Sequence, residues 1–377
     1  MSAEPLASSA ERFVAHPWVA EGARRPRFGV EMLPLPDWGL TRDFAQTIEG
    51  LGFDSLWLPD HPLVTSSAAW VTLAGLAEAT RTIRLGSLVS CVYYWHPVAL
   101  ARSAADVDHI SGGRAVLGLG SGDMPWEFAQ MGLAYPPVRE RQATLEEALS
   151  IVLPLLRGET VTYAGQHFRV EGARLDPPPL QQPHLPILVA GGGEKTTLRY
   201  ASQYADASNL GAVSWAGGAF TPDDVRRKFD ALDQRCAEAG RPPESVLRSG
   251  LLTASLAKST PAAQAKFAAV PPEIVAFFEH LPVVGTPADA VPRVREMLAS
   301  GFQYVIFIVM PGDEETLRLL AEQVLPAAVI SERFVPLGGD PRERGASYPS
   351  PGLCDIPRPP FRRTFVYDDA SPATRAC

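Results

Sequence analysis

The sequence predicts an α/β fold, a (β/α)8 barrel with insertion segments, on three observations. Short apolar runs alternate with amphipathic stretches along most of the chain, the pattern of parallel strands joined by helical crossovers. Eight such runs fall within about 300 residues, the count of a closed barrel. Glycine and polar residues follow several of the runs, where a barrel keeps its chemistry. A doubly wound open sheet is the other arrangement compatible with the alternation.

Taken in order, the strands are Phe28 to Leu33, Ser55 to Pro59, Arg84 to Ser90, Ala115 to Gly120, Ile187 to Ala190, Ala207 to Gly211, Leu247 to Leu256 and Tyr304 to Met310. Each is a short apolar or β-branched run bounded by turn residues. The helices are Arg42 to Gly50, Ala68 to Ala79, Val98 to Ile110, Glu140 to Arg157, Lys195 to Tyr204, Asp223 to Ala239, Ala288 to Ser300 and Glu314 to Leu325, each with a helical apolar period. Thr160 to Pro186 breaks the rhythm. Val161 to Tyr163 and His167 to Val170, around Ala164-Gly165, read as a hairpin inserted near the rim, followed by the stiff Pro177-Pro178-Pro179. The barrel domain is therefore expected over 27–330. An irregular extension, 1–26, precedes it, in which Trp18 and Val19 can pack onto the barrel. A Pro- and Arg-rich tail, 331–377, follows as an extended arm or disordered segment able to wrap a partner subunit.

Composition excludes several classes of function. The 377 residues are 46% hydrophobic and 20% charged, with a net charge of -8. Such a chain offers no basic field for nucleic acid or an anionic membrane, and no apolar run of about 20 residues to span a bilayer. No secretory signal is readable in Met1 to Ala10, so a cytoplasmic protein is expected. Cys91, Cys236, Cys354 and Cys377 lack C-x-x-C spacing, which points to reduced structural thiols and to neither a metal site nor a disulfide framework.

At the strand ends, Asp60 and His61 stand before Pro62 and suit acid/base work or hydrogen bonding to a heterocycle; the plainer roles are a loop cap for Asp60 and donation to a backbone carbonyl for His61. Ser87, Leu88, Val89 and Ser90 offer a wall for a flat ring, or simply an ordinary buried strand. Gly118, Gly120 and Gly122 open a backbone surface for a planar ligand or make a tight corner; Ser121 can donate a hydrogen bond and Asp123 can exchange a proton. Gly191, Gly192, Gly193 and Glu194 join a strand to a helix start, a turn that can cradle phosphate or serve geometry alone. Its spacing is neither that of a dinucleotide fingerprint nor that of a P-loop. Tyr93, Tyr94, Trp95 and Trp126 are candidates for a substrate pocket. Together these ends describe a long, flat, phosphorylated cofactor lying across one rim.

Several of these motifs occur in a familiar order. Asp60-His61, Arg84 to Pro97, Ile110 to Arg114, Gly118 to Asp123, Glu140 to Leu149, Gly191 to Leu198, Tyr204 to Asn209 and Val284 to Pro287 resemble the luciferase-like monooxygenase superfamily, in particular its branch of F420-dependent oxidoreductases. The resemblance covers about Arg27 to Ile330. It implies a TIM barrel binding the deazaflavin F420, or alternatively FMN, with the phosphate at the glycine turn. It also implies a non-prolyl cis peptide within Ser87 to Ser90, behind the ring. Sugar-phosphate dehydrogenases of the branch carry a Glu where this chain has Asp123, and a tryptophan after the Asp-His pair that is missing near Thr65. Oxidation of a sugar phosphate is therefore not expected. The expected activity is hydride transfer between reduced F420 and an electron-poor C=C, C=N or C=O of a small or peptidic substrate, with His61 first and Asp123 second as proton donor. An FMN-dependent monooxygenase and a non-catalytic flavin-binding protein are the alternatives, and a homodimer is the expected assembly.

Overall fold

The computed structural model describes residues 15–330 apart from 23, 212–216, 220 and 271–281; the segment 331–377 and its expected arm lie outside the described residues. Its strands are β1 (Arg27–Glu31), β2 (Ser55–Asp60), β3 (Arg84–Cys91), β4 (Ala115–Gly120), β5 (Val161–Ala164), β6 (Arg169–Ala173), β7 (Ile187–Ala190), β8 (Ala207–Leu210), β9 (Leu247–Leu256), β10 (Val283–Gly285) and β11 (Tyr304–Ile308). Eight of them pair in parallel in the order β1-β2-β3-β4-β7-β8-β9-β11, and β11 pairs back onto β1, so the ring is closed. Closure rules out the open doubly wound sheet. The pair β5–β6 is an antiparallel hairpin apart from the ring.

Strand alternation separates two cores. Trp57, Leu88, Val116, Leu188, Ala207, Leu247 and Ile306, contributed by seven strands, form one buried cluster inside the barrel. Leu56, Leu58, Leu85, Leu117, Ile187 and Val189 belong to the larger cluster between strands and helices. The helix Pro17–Gly22 delivers Trp18 and Val19 into the inner cluster, both almost without exposed surface. Helix starts follow local chemistry. Asp37 accepts from the Leu40 amide, and Thr221 with Asp224 and Thr286 with Asp289 form reciprocal capping boxes.

Among the described residues several elements depart from the sequence expectation, the helix Pro17–Gly22 within the irregular extension among them. The short helix Pro125–Gln130 follows β4, the helix Thr260–Ala268 follows β9, and β10 adds outside the ring on Ala254 to Leu256. A three-residue strand and a six-residue helix are too short to show a period. Strand β1 ends at Glu31, two residues before the expected Leu33, which moves the rim of the barrel to that carboxylate.

Strand β3 carries a bulge. Against β4 its register runs from Gly86↔Val116 to Ser90↔Leu119, so β3 spends one residue more than its neighbour, and the same excess appears against β2. The Leu88–Val89 peptide, within the expected span, is cis. Glycines on β4 admit the bulge. A Cβ on Gly118 would stand 2.0 Å from the Ser87 carbonyl oxygen, and one on Gly120 2.6 Å from a Val89 methyl. The surface above these glycines, expected to be open to a planar ligand, is therefore filled by β3 itself.

Candidate active site

The carboxyl ends of the strands gather four titratable side chains. Asp60, the last residue of β2, is 2% exposed and accepts from the Trp95 indole N–H at 2.8 Å. Burial pushes its pKa up, partly offset by hydrogen bonds from Ser90 and Trp95. His61 turns a different way. Its Nδ1 lies 2.8 Å from Oε2 of Glu127, a carboxylate with no exposed surface that also accepts from the Tyr94 hydroxyl at 2.7 Å and the Leu63 amide at 3.0 Å. Burial disfavours charge on His61, but the Glu127 hydrogen bond and the nearby charges of Asp123 and Glu127 outweigh it and raise its pKa. Glu127 is likewise opposed by burial, yet its bonds from His61, Leu63 and Tyr94 hold it below the usual carboxylate range. The Asp-His pair is thus divided between two separate carboxylate sites.

Glu31 completes the group. It is 7% exposed, and desolvation pushes its pKa up to about 8 against the opposing pull of His61. At neutral pH this carboxyl holds its proton. Sequence reasoning missed both Glu31 and Glu127. Glu31 sat inside an expected strand, and its signal was a carboxylate within the apolar run Phe28 to Leu33. Glu127 lay two residues after a proline that starts a helix, and Pro125 at that position was its signal. Asp123, the second expected donor, is half-buried and close enough to His61 to act on its charge.

The inner cluster is capped by Val89, Ala190 and Leu251, partly exposed residues that pack against it. Val89 is thus the bulge residue at the barrel mouth, while Ser87 donates to the Gly118 carbonyl and Ser90 accepts from the Trp70 indole. Leu88 faces the interior. Ser121 accepts from Gln142, and the Gly122 carbonyl accepts from Arg141. Of the expected pocket aromatics, Tyr93 pairs with Thr144 at 2.8 Å, Tyr94 and Trp95 hold the two carboxylates, and Trp126 stands 46% exposed.

At the glycine turn, Gly191 has φ +117°, a conformation side chains disfavour, and a Cβ on Gly192 would stand 2.2 Å from the Gly217 carbonyl oxygen. These glycines are thus required by chain geometry. The turn still suits an anion. The helix Thr197–Tyr204 has no side-chain cap, and among the described residues the amides of Gly192, Gly193, Glu194 and Lys195 donate to no protein acceptor. The Glu194 carboxylate beside them is neutralised by Arg227 and by the buried Lys228, whose Nζ donates to the Gly192 carbonyl at 2.7 Å.

The luciferase-like monooxygenase profile matches residues 18–304, the whole span from the buried Trp18 to the last barrel strand. The chain belongs to the luciferase-like monooxygenase family. Among relatives of this luciferase-like protein, a 5,10-methylenetetrahydromethanopterin reductase of Archaeoglobus fulgidus is 26% identical, over 80% of this chain and 99% of its own. An F420-dependent glucose-6-phosphate dehydrogenase of Amycolatopsis mediterranei is 26% identical over 75% and 92%. A 4-hydroxyprotoasukamycin monooxygenase of Streptomyces nodosus subsp. asukaensis is 33% identical, over 58% and 61%. The coenzyme F420 dependent tetrahydromethanopterin reductase of Methanopyrus kandleri superposes with a TM-score of 0.68 at 22% identity, over 80% of this chain and 99% of that one, a likeness of fold. These relatives are reductases, dehydrogenases and monooxygenases, and this luciferase-like protein is an enzyme.

Proposed function

We propose that this enzyme is an F420-dependent oxidoreductase that transfers a hydride between the reduced deazaflavin and an electron-poor C=C, C=N or C=O of a small or peptidic substrate. The observation that carries the reading is the company at the mouth: Glu31, a buried carboxyl whose pKa desolvation pushes up to about 8, and the His61 imidazole held 2.8 Å from the buried Glu127 carboxylate. Reduction of a polarised double bond needs a proton as well as a hydride, and a buried carboxyl with a raised pKa beside an imidazole is suited to supply one. Relatives aligned over 99% and 92% of their length are a reductase and an F420-dependent dehydrogenase, which supports the same choice.

The residues present fit the cofactor. The unpaired amides of Gly192 to Lys195 would hold its phosphate, and Val89 would stand beneath its ring. When bound, F420 supplies the hydride. The protein's own part is to stack the ring against Val89, exclude water, hold a proton on Glu31 Oε, and orient His61 through its Nδ1 bond to Glu127. Glu127 takes His61 Nδ1, so Nε2 is the imidazole atom free to face a substrate. Asp60 holds the Trp95 indole in place and stays out of proton traffic.

An FMN-dependent monooxygenase is the second reading, since the 33% identical relative is a monooxygenase. Titration of the purified protein with F420 and separately with FMN, followed by tryptophan quenching and ligand fluorescence, tests both. Micromolar or tighter F420 binding with weak FMN binding is the expected result; preference for FMN would transfer the assignment to oxygen-dependent chemistry. Tight binding without turnover of any electron acceptor would leave a carrier.

A further inference from the structure

An open cavity of about 530 Å3 lies between the loop after β3 and the turn of the β5–β6 hairpin. Tyr93, Tyr94, Trp95, Thr144, His167 and Phe168 line most of it. Its size is that of a small-molecule site. Its described walls carry aromatic rings, imidazoles, a hydroxyl and an amide, and no Lys, Arg, Asp or Glu, a lining suited to an uncharged aromatic ligand.

The far wall is held in place. One carboxylate, Glu147, accepts the backbone amides of Gln166, His167 and Phe168 at 2.8, 2.9 and 3.0 Å and so fixes the hairpin turn. The near wall is built from side chains that also serve the mouth. Trp95 donates its indole N–H to Asp60, and Tyr94 donates its hydroxyl to Glu127, which pairs with His61. Whatever lies against those two rings lies one hydrogen bond from each buried carboxylate.

We propose that this cavity binds a neutral, planar aromatic group bearing a hydrogen-bonding substituent, and that binding there is linked to His61 through Tyr94 and Glu127. On the reading of the mouth as a redox site, this group is the part of the substrate remote from the reduced bond. Ring faces offer stacking area, and Gln166 and His167 offer the polar partners that orient it.

Naphthalene-2-carboxamide is the probe, titrated into the full chain and followed by tryptophan fluorescence and ligand-observed NMR. Saturable binding is expected, weakened at least tenfold by Phe168→Ala and blocked by Gln166→Trp, which fills the cavity from an exposed turn position. Circular dichroism of both variants checks the fold. The bound probe is also expected to shift the imidazole titration of His61 in the intact protein. Absence of saturable binding, binding unchanged in both variants, or an unmoved His61 titration would overturn the proposal. F420 titration of Gln166→Trp separates the two readings: retained cofactor affinity with lost probe binding is expected, whereas failure of F420 to bind even the unmodified chain would refute the cofactor assignment alone.

Discussion

At the scale of single residues, the protonation of the mouth is decided by neighbours. The folded pKa of His61 lies above 6.5, so its contribution to stability is complete below pH 6.5 and is lost as pH rises through the raised value. That of Glu127 lies below 4.5, so its share is present above pH 4.5 and is lost as pH falls through the lowered value. Glu127→Gln is therefore expected to lower the His61 pKa in an NMR titration; an unchanged titration would show that the pair is not coupled. Glu31 runs the other way. Its folded carboxyl binds a proton that the unfolded chain releases above 4.5, so stability falls, by at most about 1.4 kcal/mol per pH unit, as pH rises from 4.5 to about 8. Glu31→Gln keeps the shape and removes that slope, which denaturant unfolding at several pH values would read. If Glu31 delivers the proton, the same variant reduces turnover by roughly 10²- to 10⁴-fold with the cofactor still bound.

At the scale of elements, two loops set the edges of the site. Gly191→Ala places a side chain at φ +117°, at a cost of about 1–3 kcal/mol, and is expected to weaken anion binding at the turn along with thermal stability. Isothermal titration with inorganic phosphate and with the cofactor checks this; unaltered affinity for both would show that the turn does not bind them. Glu147→Ala leaves three hairpin amides without their acceptor and is expected to lower Tm and release the hairpin to proteolysis, with the barrel core intact. The strands were legible because each buried run is bounded by turn residues, and Ala115–Gly120, Ile187–Ala190 and Leu247–Leu256 are found with the expected limits. Glu127 was not legible because the helix that carries it is six residues long, and its partner His61 lies 66 residues away.

At the scale of the whole molecule, the barrel leaves an apolar outer face. Val71 is 74% exposed, and Trp38, 45% exposed, lies over Gly75 one turn farther along the same helix, with Leu40 also outward. An exposed apolar face of this kind is a candidate contact for the expected homodimer. Sedimentation is expected to give a dimer that Val71→Asp converts to monomer; a monomeric wild type, or a variant that stays dimeric, would move the interface elsewhere. Among the described residues no helix is long and apolar enough to cross a membrane.

The sequence by itself determined the alternating strand-helix units and the hairpin insertion, because periodicity and turn chemistry are local and survive in one dimension; the span in which β3 departs from its neighbours came from the family resemblance, and closure of the ring is seen only in the fold. Only the tertiary structure decided which groups meet. Asp60 and His61, adjacent in the chain, are drawn to Trp95 and Glu127 because successive side chains at a strand end diverge. Glycines on β4 that look open to a ligand are covered by Val89, and a glutamate at the end of β1 keeps its proton because the mouth around it excludes water. Burial and charge at a site are sums over distant segments, and those sums exist only once the chain has folded.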